Sequence, residues 1–320
     1  MKRLLALFSL LAVFILAACG QTAKTESATT QAAATEEKSE VTLTNGKEDV
    51  TVKTNPKKIV VFDLGVADTI RELGFVDNIA GMPLKTLPAY LKDLPSSIQP
   101  TGSMVEPDIE AIAALEPDLI IASGRTIKYL DQLKEIAPTV IFSVDQKDYW
   151  NSVSKNIRSL ASLFGKEAEA KAEEEIKTIE ASIKKVADMN EKSNNKALTL
   201  MLNEGKMSAF GADSRFAFLY QSLKFKATDA KIEDSKHGQE MSFEGIKEIN
   251  PDTIILLNRT LAIGGDNSNA DTVLNNALFK ETNAVKNNRV IQLTSDLWYL
   301  SGGGLQSTKL MIEDVQKVLQ

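Results

Sequence analysis

The chain has 320 residues, 43% of them hydrophobic and 25% charged, which is enough for two compact domains of ordinary globular composition. Its formal charge of −6 argues against nucleic acid as the main partner. A single Cys excludes an intramolecular disulfide, and a single His excludes a histidine-rich zinc centre.

Lys2 and Arg3 precede an apolar run over 4–15, which has the length of a secretory signal and is short for a membrane span. The following Leu16-Ala17-Ala18-Cys19 resembles the bacterial lipobox, in which the cysteine is lipidated and the bond before it is cut. Residues 1–18 are therefore expected to be a lipoprotein signal peptide, and the mature chain to begin at lipidated Cys19. Loss of Lys2 and Arg3 takes 37 basic residues to 35 and the charge from −6 to −8. Residues 19–40 hold Ala, Thr, Ser, Gln, Glu and Lys without apolar periodicity, and predict a flexible tether.

An N-terminal α/β lobe is expected over 41–150. A partly alternating stretch around Asn45-Gly46 predicts a hairpin. Apolar runs at 59–62, 79–81, 119–121 and 139–142 predict strands, and helical patterns alternate with them, which implies a largely parallel sheet. Residues 151–192 read as a connecting helix, interrupted at Gly165, with Ile176, Ile179, Ile183 and Val186 on one face. A second α/β lobe is expected over 193–320. It contains strands at 197–203, 207–210, 253–257 and 289–293, a helix capped by Asp213 or Ser214 that carries Arg215 and runs from Phe216 to Leu223, a helix over 278–285, Trp298-Tyr299 in a loop, and a C-terminal helix.

One pattern ties the two lobes together. Residues 108–125, DIEAIAALEPDLIIASGR, recur without a gap 134 positions later as SFEGIKEINPDTIILLNR over 242–259. Each copy reads as a short helix, a Pro-Asp turn, an apolar strand and an arginine, Arg125 or Arg259. In open α/β sheets, ligands bind outside the carboxyl ends of strands. That rule gathers Arg125, Arg259, Arg215, His237 and Tyr299 at a cleft between lobes. Three guanidiniums in an acidic protein call for an anionic ligand, since Arg binds oxygen anions bidentately without losing its charge. Each residue also has a plainer reading: a surface ion pair for an arginine, a solvated loop for His237, a packed aromatic for Tyr299. The Gly302–304 run lacks the phosphate-loop spacing and reads as close packing at a helix start. No nucleophile elbow or H-E-x-x-H is present.

Over nearly its whole mature length the chain resembles the substrate-binding lipoproteins of ABC iron-siderophore importers. The marks are the lipobox, PKKIVVFD over 56–63, PDIEAIAALEPDLII over 107–121 and WYLSGGG over 298–304. SGR over 123–125, SRF over 214–216, HGQE over 237–240 and NR over 258–259 are similar to the ferric-catecholate subgroup, which includes enterobactin- and petrobactin-type binders. The resemblance implies two Rossmann-like α/β lobes joined by one long helix, the class III periplasmic-binding-protein fold, with the ligand cleft between lobes. It implies that Arg125, Arg215 and Arg259 hold catecholate oxygens, with Lys128 assisting, and that His237 and Tyr299 complete the iron shell of a tetradentate siderophore. It implies that Glu110 and Glu244 dock the lobes onto the permease. The expected protein is a monomer without enzymatic activity or intrinsic cofactor. It would carry Fe(III) as a siderophore complex to an ABC permease and ATPase, and would be lipid-anchored on the extracytoplasmic face of the cell membrane. A haem receptor using His237 and Tyr299 as axial ligands, and a secreted siderophore-processing enzyme, are the alternatives.

Overall fold

The computed structural model describes residues 39–44, 48–233, 235, 237–266 and 268–319. The expected signal peptide, Cys19, most of the tether and the Asn45-Gly46 turn lie outside the described residues; Glu40, read as tether, already opens the first strand.

Strands β1 (Glu40–Thr44) and β2 (Asp49–Lys53) form an antiparallel hairpin with Val41 opposite Val52. The first lobe then alternates β3 (Ile59–Val61), α1 (Leu64–Leu73), β4 (Ile79–Met82), β5 (Gln99–Pro100), α2 (Ile109–Ala114), β6 (Leu119–Ala122), α3 (Leu130–Ile136) and β7 (Thr139–Ile141). Its sheet has the order β5-β4-β3-β6-β7, parallel throughout. Strand order reverses at β3, so the crevice beside β6 is a switch point.

The connector is two helices, α4 (Tyr149–Ala161) and α5 (Lys166–Lys192). They are divided at Gly165, whose φ of 88° lies in the left-handed region. The 27 residues of α5 span about 40 Å. Ala168, Ala172, Ile176, Ile179, Ile183 and Val186 form its buried stripe.

The second lobe comprises β8 (Lys196–Asn203), β9 (Lys206–Phe210), β10 (Lys226–Ala227), β11 (Gln239–Glu240), α6 (Phe243–Ile249), β12 (Thr253–Asn258), α7 (Arg259–Ala262), α8 (Ser268–Asn275), α9 (Ala277–Lys280), α10 (Asn283–Lys286), β13 (Val290–Gln292), α11 (Ser295–Leu300) and α12 (Leu305–Leu319). Its sheet, β11-β9-β8-β12-β13 with β10 also on β8, is mixed: β9 runs antiparallel to both β8 and β11. Three local expectations change. The helix read over 278–285 is split into α9 and α10, because Thr282 caps the second with its hydroxyl. Trp298 and Tyr299 lie in helix α11, not in a loop. Arg215 lies in a turn, and the segment after it, Phe218–Ser222, winds as one π-helical turn.

The repeat is structural as well as sequential. Asp108 and Ser242 cap α2 and α6, accepting the N–H groups of Ala111 and Gly245 at 3.0 and 3.1 Å. Such caps contribute about 1 kcal/mol each. Glu116 and Asn250 then take the left-handed conformation, φ 48° and 45°. Asp118 accepts the Lys57 and Lys58 N–H groups at 2.7 and 2.9 Å, and Asp252 accepts Lys196 N–H at 3.0 Å. In both lobes, therefore, the Pro-Asp turn ties the start of one central strand to its neighbour.

Successive strand residues face opposite sides, and this divides the core into three layers. Val60, Phe62, Ile120 and Ala122 pack on the outer face of the first sheet. Leu198, Leu200, Leu202, Ile254 and Leu256 pack on the outer face of the second. The alternate residues Ile59, Val61, Leu119, Ile121, Ile255, Leu257 and Ile291 join the stripe of α5 in one continuous central core. The C-terminal helix completes it by packing against α1 and α5. Asp68 of α1 accepts the backbone N–H groups of Ser307 at 2.7 Å and Gln306 at 3.3 Å, capping α12 from across the molecule. A Cβ on Gly65 would lie 2.7 Å from the Gly302 carbonyl, so the Gly302–304 run serves close packing.

Candidate ligand-binding site

Tyr299 is the centre of the site. Helix α11 holds it from both sides. Asp314 of α12 accepts Trp298 Nε1 at 3.0 Å and the Thr294 N–H at 2.8 Å, while Asp296 accepts the Ala89 N–H of the first lobe at 2.9 Å.

Arg125 is aimed by the short loop after β6, where the Thr126 hydroxyl accepts the Ser123 N–H at 3.0 Å and donates to the Ser123 carbonyl at 3.1 Å. Its terminal nitrogen donates to the Tyr299 carbonyl at 2.7 Å, and its guanidinium carbon lies 5.1 Å from the tyrosine ring centroid. Arg215 reaches the same carbonyl at 3.3 Å and lies over the ring at 4.3 Å. Arg259 opens α7. Its Nε donates to the Tyr299 hydroxyl at 2.7 Å, and another guanidinium nitrogen donates to Asn203 Oδ1 at 2.6 Å.

Three cations around one aromatic ring attract its π-face but repel one another. Burial pushes the Tyr299 hydroxyl up, but the Arg259 hydrogen bond and the charges of the three arginines outweigh it and hold the phenol below its ordinary value. Burial also lowers the Arg215 guanidinium, against the pull of Tyr299, and repulsion from Arg125 and Arg259 adds to the lowering. Among the described residues no carboxylate forms an ion pair with any of the three. The Asp63 carboxylate feels the charge of Arg125 without pairing with it, so the cluster remains a concentration of positive charge with no ion-pair partner, half-buried at the junction of the two lobes.

Of the residues named from sequence, Arg125, Arg215, Arg259 and Tyr299 meet. The others lie apart. Lys128 is exposed, with its ammonium 4.8 Å from the ring centroid of neighbouring Tyr129. His237 is exposed in the turn before β11, its N–H donating to Ser235 Oγ at 3.3 Å. Because β11 runs antiparallel to β9, and β9 antiparallel to β8, His237 lies toward the amino end of β8. Arg259 follows the carboxyl end of β12, which runs parallel to β8. Because β9 is antiparallel, its carboxyl end at Phe210 lies toward the amino end of β8, and the 211–217 turn carries Arg215 from there to Tyr299. Glu110 and Glu244 are exposed, each the second residue of its helix, at equivalent positions of the two repeat units. Asn203 and the anchors Asp296 and Asp314 were not singled out from sequence. A polar residue ending a strand just before Glu204-Gly205 was a signal for Asn203, but its partner depends on strand register.

The comparisons with known proteins agree with this architecture. A family model described as periplasmic binding protein matches residues 59–297. The petrobactin-binding protein YclQ of Bacillus subtilis (strain 168) is 38% identical over 324 residues, 100% of each chain. The crystal structure of PiuA, an iron uptake ABC transporter substrate-binding protein from Streptococcus pneumoniae Canada MDR_19A, matches with a TM-score of 0.86 and 63% identity, over 88% of this chain and 99% of that one. The periplasmic catecholate-siderophore binding protein VctP from Vibrio cholerae matches with a TM-score of 0.81 and 30% identity, over 87% and 99%. Two α/β lobes around a shared core and a full-length relative lead to one conclusion: the chain belongs to the periplasmic binding protein family.

Proposed function

We propose that this protein captures a ferric catecholate siderophore outside the cytoplasmic membrane and delivers it to an ABC permease for iron uptake. The observation that carries the reading is the convergence of Arg125, Arg215 and Arg259 on Tyr299 with no ion-paired carboxylate among the described residues. Two catecholates on Fe(III) leave a net charge of −1 and three leave −3. Guanidiniums offset that charge in a partly desolvated cleft, where it would otherwise be costly. The names of the relatives, petrobactin-binding and catecholate-siderophore binding, support the same cargo class.

The cargo exchanges its catecholate oxygens for the Tyr299 carbonyl and hydroxyl as partners of the guanidiniums. Tyr299 released from Arg259, together with His237, fills the two iron sites that a tetradentate siderophore leaves open. Lys128 adds charge at the rim. Glu110 and Glu244 meet the permease, one from each lobe. Lipidated Cys19 anchors the chain, which works as a monomer; among the described residues no helix is long and apolar enough to cross a membrane.

Titration of the mature protein with a panel of ferric complexes and haem tests the reading. The expected result is saturable binding of a ferric catecholate with a broad visible charge-transfer band. A Soret band with haem, and no response to any catecholate, would refute it.

A further inference from the structure

The arginines of this protein are held in two ways. Arg71 pairs with Asp93 and Glu72 at 2.9 and 3.2 Å, and Arg158 pairs with Glu173, while Arg289 donates to Asn195 Oδ1 at 2.9 Å. The three site arginines also rest on neutral acceptors, and for Arg259 that acceptor is the Asn203 amide oxygen at 2.6 Å.

Local geometry fixes Asn203. It is the last residue of β8, paired with Lys206 across a two-residue turn in which Glu204 and Gly205 both have positive φ, 51° and 81°. Such turns match the twist of the strands they join and set their register. On its other side β8 runs parallel to β12 with Leu202 opposite Asn258, so the next step of the ladder brings Asn203 beside Arg259. A second bond, from the Glu204 N–H to Thr260 Oγ1 at 2.8 Å, ties the same turn to the next residue of α7. The β8–β9 turn thus clamps the first turn of the helix that carries Arg259.

We propose that Asn203 is a positioning and selectivity residue, a neutral acceptor that holds the Arg259 guanidinium toward the cleft while leaving its full charge for an anionic cargo. An aspartate there would hold the guanidinium equally well but would pair with it and remove one of three positive charges. An alanine would keep the charge and lose the orientation. The inference deepens the reading above and rests on it for the nature of the anion.

Two measurements on the mature protein test it. The first needs no cargo: arginine Nε–Hε correlation spectra, with the Arg259 signal identified by its loss in Arg259→Lys. The expected result is a protected Arg259 signal that collapses in Asn203→Ala and persists in Asn203→Asp. The second is a double-mutant cycle read as dissociation constants for a ferric tris-catecholate of charge −3 and a ferric bis-catecholate of charge −1. Asn203→Ala is expected to weaken binding of both by about tenfold, the order of one bond to a charged group, and to have no further effect beside Arg259→Ala. Asn203→Asp is expected to weaken the −3 complex several-fold more than the −1 complex. An Arg259 signal unchanged in Asn203→Ala, or an equal loss in the Arg259→Ala background, would overturn the proposal. If the unaltered protein binds neither complex, the cargo reading fails, and the spectra still decide whether Asn203 positions Arg259.

Discussion

Arg125 in the first lobe donates to the Tyr299 carbonyl in the second at 2.7 Å, across 174 residues of chain. The same carbonyl takes Arg215, and the tyrosine hydroxyl takes Arg259. Without cargo, one tyrosine therefore satisfies guanidiniums from both lobes. An anionic ligand that replaces it gains three charge-assisted partners at once.

Removing one guanidinium should weaken that ligand by the value of a hydrogen bond to a charged group, about 1.5–3 kcal/mol. Arg125→Ala is expected to raise the dissociation constant for a ferric catecholate by roughly 10- to 100-fold. Quenching of Trp298, the neighbour of Tyr299, reads it out.

The proposed coordination by His237 and Tyr299 makes a sharper prediction. His237→Ala and Tyr299→Phe should weaken tetradentate ferric catecholates more than hexadentate ones, because only the former leave iron sites open. Paired titrations with both ligand types provide the check. Equal losses would remove these residues from the iron shell.

Glu110→Ala and Glu244→Ala should leave cargo affinity unchanged and reduce cellular iron uptake. Each carboxylate also sits in the first turn of its helix, where it contributes about 0.3–1 kcal/mol. A small loss of melting temperature is therefore expected alongside the uptake defect. Loss of binding in vitro would refute the docking role.

Stability should depend on pH through Asp68. Burial raises its carboxyl from 3.8 to about 6, against the Ser307 hydrogen bonds. The folded state holds this proton more tightly than the unfolded chain. The associated stability is thus fully present below the unfolded value and lost as pH rises through about 6. The difference corresponds to about 3 kcal/mol. Chemical denaturation between pH 4 and 7 should show stability falling with pH, less steeply in Asp68→Asn. Identical slopes would contradict the assignment.

Local signals made much of this fold legible. The 134-residue repeat located both helix–turn–strand units and the arginines that end them, because capping, the Pro-Asp turn and strand hydrophobicity are all local in sequence. Gly165 marked the break in the connector for the same reason. The direction of β9, the partner of Asn203 and the return of α12 onto α1 depend on pairings between residues far apart in the chain, and no local pattern encodes them. Trp298 and Tyr299 carry no local helix signal because α11 is only six residues long and is held by Asp314 and Asp296 rather than by its own periodicity.

The most direct test is an equilibrium titration of the unaltered protein and of Arg125→Ala/Arg215→Ala/Arg259→Ala with one ferric tris-catecholate at fixed salt. Tight one-to-one binding by the first and loss of binding by the second are expected, with both melting cooperatively. Undiminished binding by the folded triple variant would contradict it.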